Sequence, residues 1–251
     1  MTSEIGEAYN RSANAWRRGP ARLYARLAEA WFGHPPAPIE GAVVLDAGAG
    51  TGVAGDAARA RGAKQVIAVD LAAAMLPTPA VVADLTRLPF RDHAFDLAVA
   101  GFVLGHLPEP EAGLRELRRV APALLASAFE EGWKHPAKQV VERVLERHGY
   151  RPPPWYAAFK GGSERTVGDR LRLASLARAA GYSDERVDRI EVVLGRLEPA
   201  ELVAWRLGMA HHAPFLATLA PSSRDAIRRE AEKRLAGGSE VVVPVLVLSA
   251  T

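Results

Sequence analysis

From residue 42 onward the chain alternates short apolar runs with segments of helical period, and few folds accept that order. The runs are AVVLDA (42–47), QVIAVDL (65–71), PAVVADL (79–85), FDLAVAGFVL (95–104) and PALLASAF (122–129), with helical segments at 52–62 and 110–120 between them. Runs that are apolar throughout suit strands buried on both faces, and strands joined through helices pair in parallel. The pattern predicts an α/β protein with a doubly wound, mostly parallel sheet. After residue 129 the alternation stops, then resumes with a helix at 167–181 and a strand at 186–194. The last run, EVVVPVLVLSA (240–250), is expected to be an antiparallel final strand. Its Pro244 lacks a backbone donor and argues for an edge or a bulge.

Residues 8–32 read as helix, with Leu23, Leu27 and Trp31 recurring at intervals of four. HPPAP (34–38) ends it. We therefore expect an N-terminal lid region at 1–38 and a core at 39–251, one domain overall. Two helical insertions, at about 130–163 and 197–236, would cap the C-terminal edge of the sheet; a helix is expected at 136–148 within the first. The 251 residues, 49% apolar and 24% charged, supply a full core for that plan. With no cysteine, thiolate catalysis and disulfides are excluded. The net charge of +3 is interspersed, with no basic stripe, which argues against a nucleic-acid partner. The first sixteen residues carry acids where a secretion signal needs a basic start and an apolar core, and no apolar run reaches membrane-spanning length. A cytoplasmic protein is expected, with monomer and homodimer both open.

The first run enters DAGAGTG (46–52), where Gly48, Gly50 and Gly52 open a helix. Glycine permits a tight turn there and lets a ligand approach the backbone. No G-K-[ST] follows, so the phosphate-loop reading fails, and the third glycine comes one residue early for a dinucleotide fingerprint. Asp70 ends the second run, where a carboxylate can accept from both hydroxyls of a ribose and disfavours a 2′-phosphate. Asp84, just past the third run, can accept from an adenine amino group. Each acid alone is equally well read as a helix cap or a surface carboxylate. Three acids at three consecutive strand ends, at the edge where open parallel sheets bind ligands, are harder to read as caps alone, with a nucleoside site and plain packing of the turn both open.

On VLDAGAGTG (44–52), VIAVDLAAAML (66–76) and ADLTRLPFRDHAFDLAVAGFVLGHLPEP (83–110), the sequence resembles the class I S-adenosylmethionine-dependent methyltransferases, particularly the ubiquinone and menaquinone branch. YNRSANAW (9–16) resembles the lid helix of that family more loosely. The resemblance implies S-adenosylmethionine as cofactor, S-adenosylhomocysteine as product, and a Rossmann-like fold. It assigns the methionine end to Gly48 and Gly50, with Asp46 beneath and Gly52 closing the turn. Asp70 would hold the ribose with Leu71 against the adenine, and Asp84 and Leu85 the adenine edge. Ala100 and Gly101 would pass beneath the amino acid end with Phe102 beside it, although the family often has polar residues at those positions. Tyr9 and Trp16 would belong to the lid.

Methyl transfer from a sulfonium requires alignment and exclusion of water, with a base only if the nucleophile arrives protonated. His106, His211 and His212 are the candidate bases. His106 follows the fourth strand at the ligand edge. Adjacent helical residues point about 100° apart, so at most one of the other two is expected to face a shared pocket. No spacing of histidine and carboxylate suggests a metal site. Trp133, Tyr150, Trp155, Tyr156, Phe159, Trp205 and Phe215 concentrate in the two insertions and suit a closed apolar pocket, although plain packing accounts for many such residues. The expected acceptor is a small aromatic or lipophilic molecule, methylated on oxygen, nitrogen or carbon, as in quinone or natural-product biosynthesis. The alternatives are an RNA or protein methyltransferase, an NAD-linked oxidoreductase, and a relative that uses the same cofactor in a non-methylating reaction such as a cyclisation.

Overall fold

The strand order β3-β2-β1-β4-β5-β7-β6 reverses direction beside β1, which opens a crevice at the carboxyl ends of the strands. The computed structural model describes residues 2–251. The strands are β1 (Val43–Ala47), β2 (Gln65–Asp70), β3 (Val81–Val82), β4 (Leu97–Gly101), β5 (Ala123–Phe129), β6 (Arg186–Leu197) and β7 (Ser239–Ala250). The first five pair in parallel, and β7 runs antiparallel to both of its neighbours. Register sets Asp46 beside Ala68 and Val99, and Gly101 beside Ser127. The ends of β1, β2, β4 and β5 therefore meet at one edge.

Side chains alternate across the sheet, so neighbours feed different cores. Val44, Val99 and Leu125 pack on one face against α2 (Pro20–Trp31), α3 (Val53–Ala60), α5 (Pro136–Arg147), α9 (Pro199–Leu207) and α11 (Pro221–Arg234). Leu45, Ala98 and Leu124 pack on the other against α4 (Pro110–Val120) and α8 (Arg170–Ala179). Leu114, Leu117 and Val120 of α4 are completely buried, each contributing about 1.5–3 kcal/mol by leaving water. The sheet is thus covered on both sides, as the continuous apolar runs require.

Four expectations are corrected. The helix over 8–32 is two, α1 (Thr2–Arg18) and α2, broken at Gly19–Pro20. Proline is favoured at the first position of a helix and cannot continue the one before it. Gly19 is also where the chain presses on α9: a Cβ there would lie 2.2 Å from the Ala204 carbonyl oxygen. The third run shrinks to Val81–Val82, because Asp84 accepts from the Thr86 amide at 2.9 Å and turns the chain away. The helix expected at 167–181 starts at Arg170 under an Asp169 cap, after the short α6 (Pro154–Gly161) and α7 (Ser163–Val167). Pro244 lies in an interior strand in register with Glu191 of β6, and the irregular pairing falls further along, where Val193 pairs with Val242 and Gly195 with Val241. The Pro244 carbonyl accepts from Glu130 just past the end of β5, so its missing donor falls where that ladder has stopped. The second insertion folds as α9, α10 (Ala213–Thr218) and α11.

Among the described residues, no helix is long and apolar enough to cross a membrane.

Candidate active site

The glycine turn is held open by the acids around it. Gly48, Gly50 and Gly52 have φ of 69°, 52° and 88°, the left-handed region that side chains disfavour. The Gly48 and Ala49 amides donate to the Val69 carbonyl at 2.8 and 2.9 Å, fastening the turn to β2. Asp70 bridges from the other side: Oδ2 accepts from Gly50 at 2.8 Å and Oδ1 from Ala72 at 2.8 Å. Burial raises the Asp70 pKa, and the amide hydrogen bonds oppose that shift. Asp46 is buried beneath the turn, where Oδ2 accepts from Gly55 at 2.8 Å and so ties β1 to α3. Its Oδ1 has no partner among the described residues, and burial pushes its pKa up to about 7.

These strand ends form one wall of a cavity of about 560 Å³, within the usual range for small-molecule sites. Gly48, Gly50, Asp70, Leu71, Asp84 and Leu85 line it. So do Gly101 and Phe102 from the end of β4, Tyr9 and Trp16 from α1, and His106 and His211. Asp46, Gly52, Ala100 and His212 stand behind the wall. The cradle suits a ligand that lies along the backbone: a Cβ on Gly50 would meet only Met75 Cε, at 3.7 Å. Asp84 takes both the amide and the hydroxyl of Thr86 on Oδ1, so its cap reading is realised at the cavity wall.

The opposite walls are aromatic. Trp16 packs on Tyr24 at 4.9 Å, and Tyr24 meets Phe102 edge-on at 5.4 Å. Phe102 stacks on Phe129 at 4.3 Å, Phe129 on Trp133 at 5.6 Å, and Trp133 on Trp205 at 6.1 Å. Phe102 takes φ of 57°, rare for a bulky residue, which places backbone strain at the end of β4 beside the cavity.

The three candidate histidines separate by environment. His106, in the 3-10 turn Leu104–His106, has Nε2 2.8 Å from the Tyr9 hydroxyl and its ring 4.5 Å from Phe159. Burial lowers its pKa to about 4 and raises that of Tyr9. The pair is therefore neutral at pH 7. The expected outcome is that imidazole nitrogen shifts of His106, followed by NMR, stay flat from pH 8 down to about 5; a titration centred near 6.5 would contradict the buried contact. His211 stacks on Tyr156 at 3.8 Å, and burial holds it well below the usual histidine range. His212 is fully buried and donates from Nδ1 to the Arg206 carbonyl at 2.8 Å, with burial lowering it to about 3. The two lie in the turn between α9 and α10, not on a helix as expected, and only His211 lines the cavity.

Sequence reasoning passed over Lys138 and Arg206, which also line the cavity. Lys138 donates to the Trp133 carbonyl at 3.1 Å, and its Nζ lies 4.5 Å from the centre of the Trp133 ring. Burial, then the Arg206 charge, lowers it to about 8. Arg206 did leave a signal. Leu202 and Val203 set the buried face of α9, and 206 continues that face at spacings of four and three. A charge where the period demands an apolar residue marks a position with a task.

A family model described as a methyltransferase domain matches residues 45–122. A demethylmenaquinone methyltransferase of Mycolicibacterium vanbaalenii is 32% identical over 161 residues, covering 57% of this chain and 69% of that protein. One from Clavibacter sepedonicus is 36% identical over 131 residues, 48% of this chain and 51%, about half, of its own length. Among solved structures, a putative methyltransferase from an antibiotic biosynthesis pathway of Anabaena variabilis superposes with a TM-score of 0.61 at 15% identity, covering 90% of this chain and 96% of that one. This last likeness concerns the fold alone.

Proposed function

Because this chain belongs to the class I S-adenosylmethionine-dependent methyltransferases of the ubiquinone/menaquinone type, we propose that it methylates a small aromatic or lipophilic acceptor. One observation carries the reading: the glycine turn, Asp70 and Asp84 converge on one wall of a cavity whose other walls are aromatic. The residues fit the cofactor. Gly50 leaves room along the backbone, and the Asp70 carboxylate has acceptor capacity beyond its two amide bonds. S-adenosylmethionine, when bound, supplies an activated methyl group on a sulfonium.

The chain supplies the rest. Asp70 holds the ribose hydroxyls, with Leu71 against the adenine; Asp84 and Leu85 hold the adenine edge. Gly48 and Gly50 receive the methionine end, with Gly101 and Phe102 beneath it. Tyr9 and Trp16 close the site from α1, so residues 1–38 act as a lid and the two insertions as a cap, keeping water from the reacting atoms. Tyr9 and His106 form a neutral pair that accepts the acceptor's proton where one must leave. The curated relatives are named for methylation of a demethylated menaquinone, which makes a reduced quinone ring the first acceptor to try.

The test is calorimetric titration with S-adenosylhomocysteine, followed by methyl-labelled S-adenosylmethionine with reduced demethylated quinones, both unsubstituted and bearing a ring carboxylate. We expect saturable binding and label on the ring. Binding of NAD in place of S-adenosylhomocysteine would overturn the cofactor assignment. Cofactor binding without label on any small acceptor would overturn methyl transfer to this class.

A further inference from the structure

Arg206 lies at the cavity wall, only 3% exposed, and forms no ion pair among the described residues. Its guanidinium offers five donors. One, Nη2, stands 3.4 Å from His211 Nε2, while Nε is buried without a partner. Leaving a charge buried and uncompensated costs several kcal/mol, so a stable fold retains one where something else completes it. The neighbours add to the cost instead of relieving it. Burial, and then the charges of Arg206 and Lys160, push the Lys138 ammonium toward the neutral form. The nearby acids do not answer Arg206. Glu164 is paired with Lys160, and Glu142, one turn from Lys138 along α5, bridges to neither cation.

The two cations are also seated on flat surfaces. The Trp133 and Trp205 rings are near-parallel, 24° apart, with Lys138 over the first and the Arg206 guanidinium 5.3 Å from the centre of the second. A guanidinium fork beside an ammonium and two aromatic faces is complementary to a planar oxyanion. We propose that the acceptor is an acid, carrying a carboxylate that docks on Arg206 and Lys138 while its apolar body lies along Trp133 and Trp205. This rests on the methyltransferase reading of the same cavity. The cofactor's own carboxylate is the other source of such a group. It is disfavoured because Arg206, His211 and Lys138 belong to the two insertions, whereas the methionine end is assigned to the glycine turn.

The test compares 2-naphthoate with 2-naphthamide, equal in shape and different in charge, by calorimetry on protein saturated with S-adenosylhomocysteine. Wild type should prefer the acid by about tenfold or more, the worth of a charge-assisted contact. Arg206→Met should erase that preference while changing S-adenosylhomocysteine affinity by less than about threefold. Lys138→Met should reduce the preference several-fold, and with Arg206→Lys it carries the comparison if Arg206→Met does not fold. Equal binding of acid and amide by wild type, or binding of neither, overturns the proposal. So does a loss of S-adenosylhomocysteine affinity in Arg206→Met as large as the loss for the acid, since the fork would then serve the cofactor. Failure of wild type to bind S-adenosylhomocysteine at all counts against the cofactor reading instead, and the acid–amide pair is then read on the unliganded protein.

Discussion

Asp70→Ala is expected to weaken S-adenosylhomocysteine binding by about a hundredfold or more. Two hydroxyl contacts to a charged acceptor are worth about 1.5–3 kcal/mol each, so losing both removes at least about 3 kcal/mol. The variant also strands the Gly50 and Ala72 amides, which Asp70 holds at 2.8 Å, and so loosens the turn proposed to receive the methionine end. Asp70→Asn keeps one acceptor oxygen and should recover part of the affinity. Protonation acts in the same direction. Burial raises the Asp70 pKa, so affinity should fall on acidification, beginning at a higher pH than for an exposed aspartate. Calorimetry of both variants across pH checks this. An unchanged dissociation constant in Asp70→Ala would remove the ribose assignment.

Gly48→Ala should be the most costly single methyl that the turn can receive. Its Cβ would fall 2.3 Å from Val103 Cγ2 and 2.6 Å from Val103 Cβ, and valine cannot swing away as a long side chain would. The backbone adds its own objection, because φ is 69°. Left-handed strain of about 1–2 kcal/mol and overpacking of about 1–3 kcal/mol together predict a loss of about 2–5 kcal/mol. For a chain of this size that lowers Tm by about 5–15 °C. Gly50→Ala is the control: its φ of 52° carries strain, but the space is open. It should destabilise less while still obstructing the cofactor. Similar melting temperatures for the two variants would show that Val103 gives way.

The parallel sheet was legible because a strand buried on both faces must be apolar along its whole length, and β1, β4 and β5 are. The glycine turn was legible because positive φ selects glycine locally. The third strand was overread, since an apolar run does not reveal that Asp84 will turn the chain out of it. Pro244 was read as an edge or a bulge because its missing donor was weighed without knowing where β5 would end. The break at Gly19–Pro20 was visible in the residues and was overridden by the longer helical period around it.

The line between sequence and structure runs through the site itself. The sequence by itself determined the wall proposed for the cofactor, because its residues sit at strand ends whose alignment follows from parallel pairing alone. Only the tertiary structure decided the wall proposed for the acceptor: Tyr9 against His106, Lys138 on Trp133, and Arg206 buried beside Trp205. Tyr9 and His106 are 97 residues apart, and Lys138 and Arg206 come to one wall only because Trp133 stacks on Trp205 across the two insertions. A local period marks the buried face of a helix such as α9, but not which side chains of other segments that face will meet.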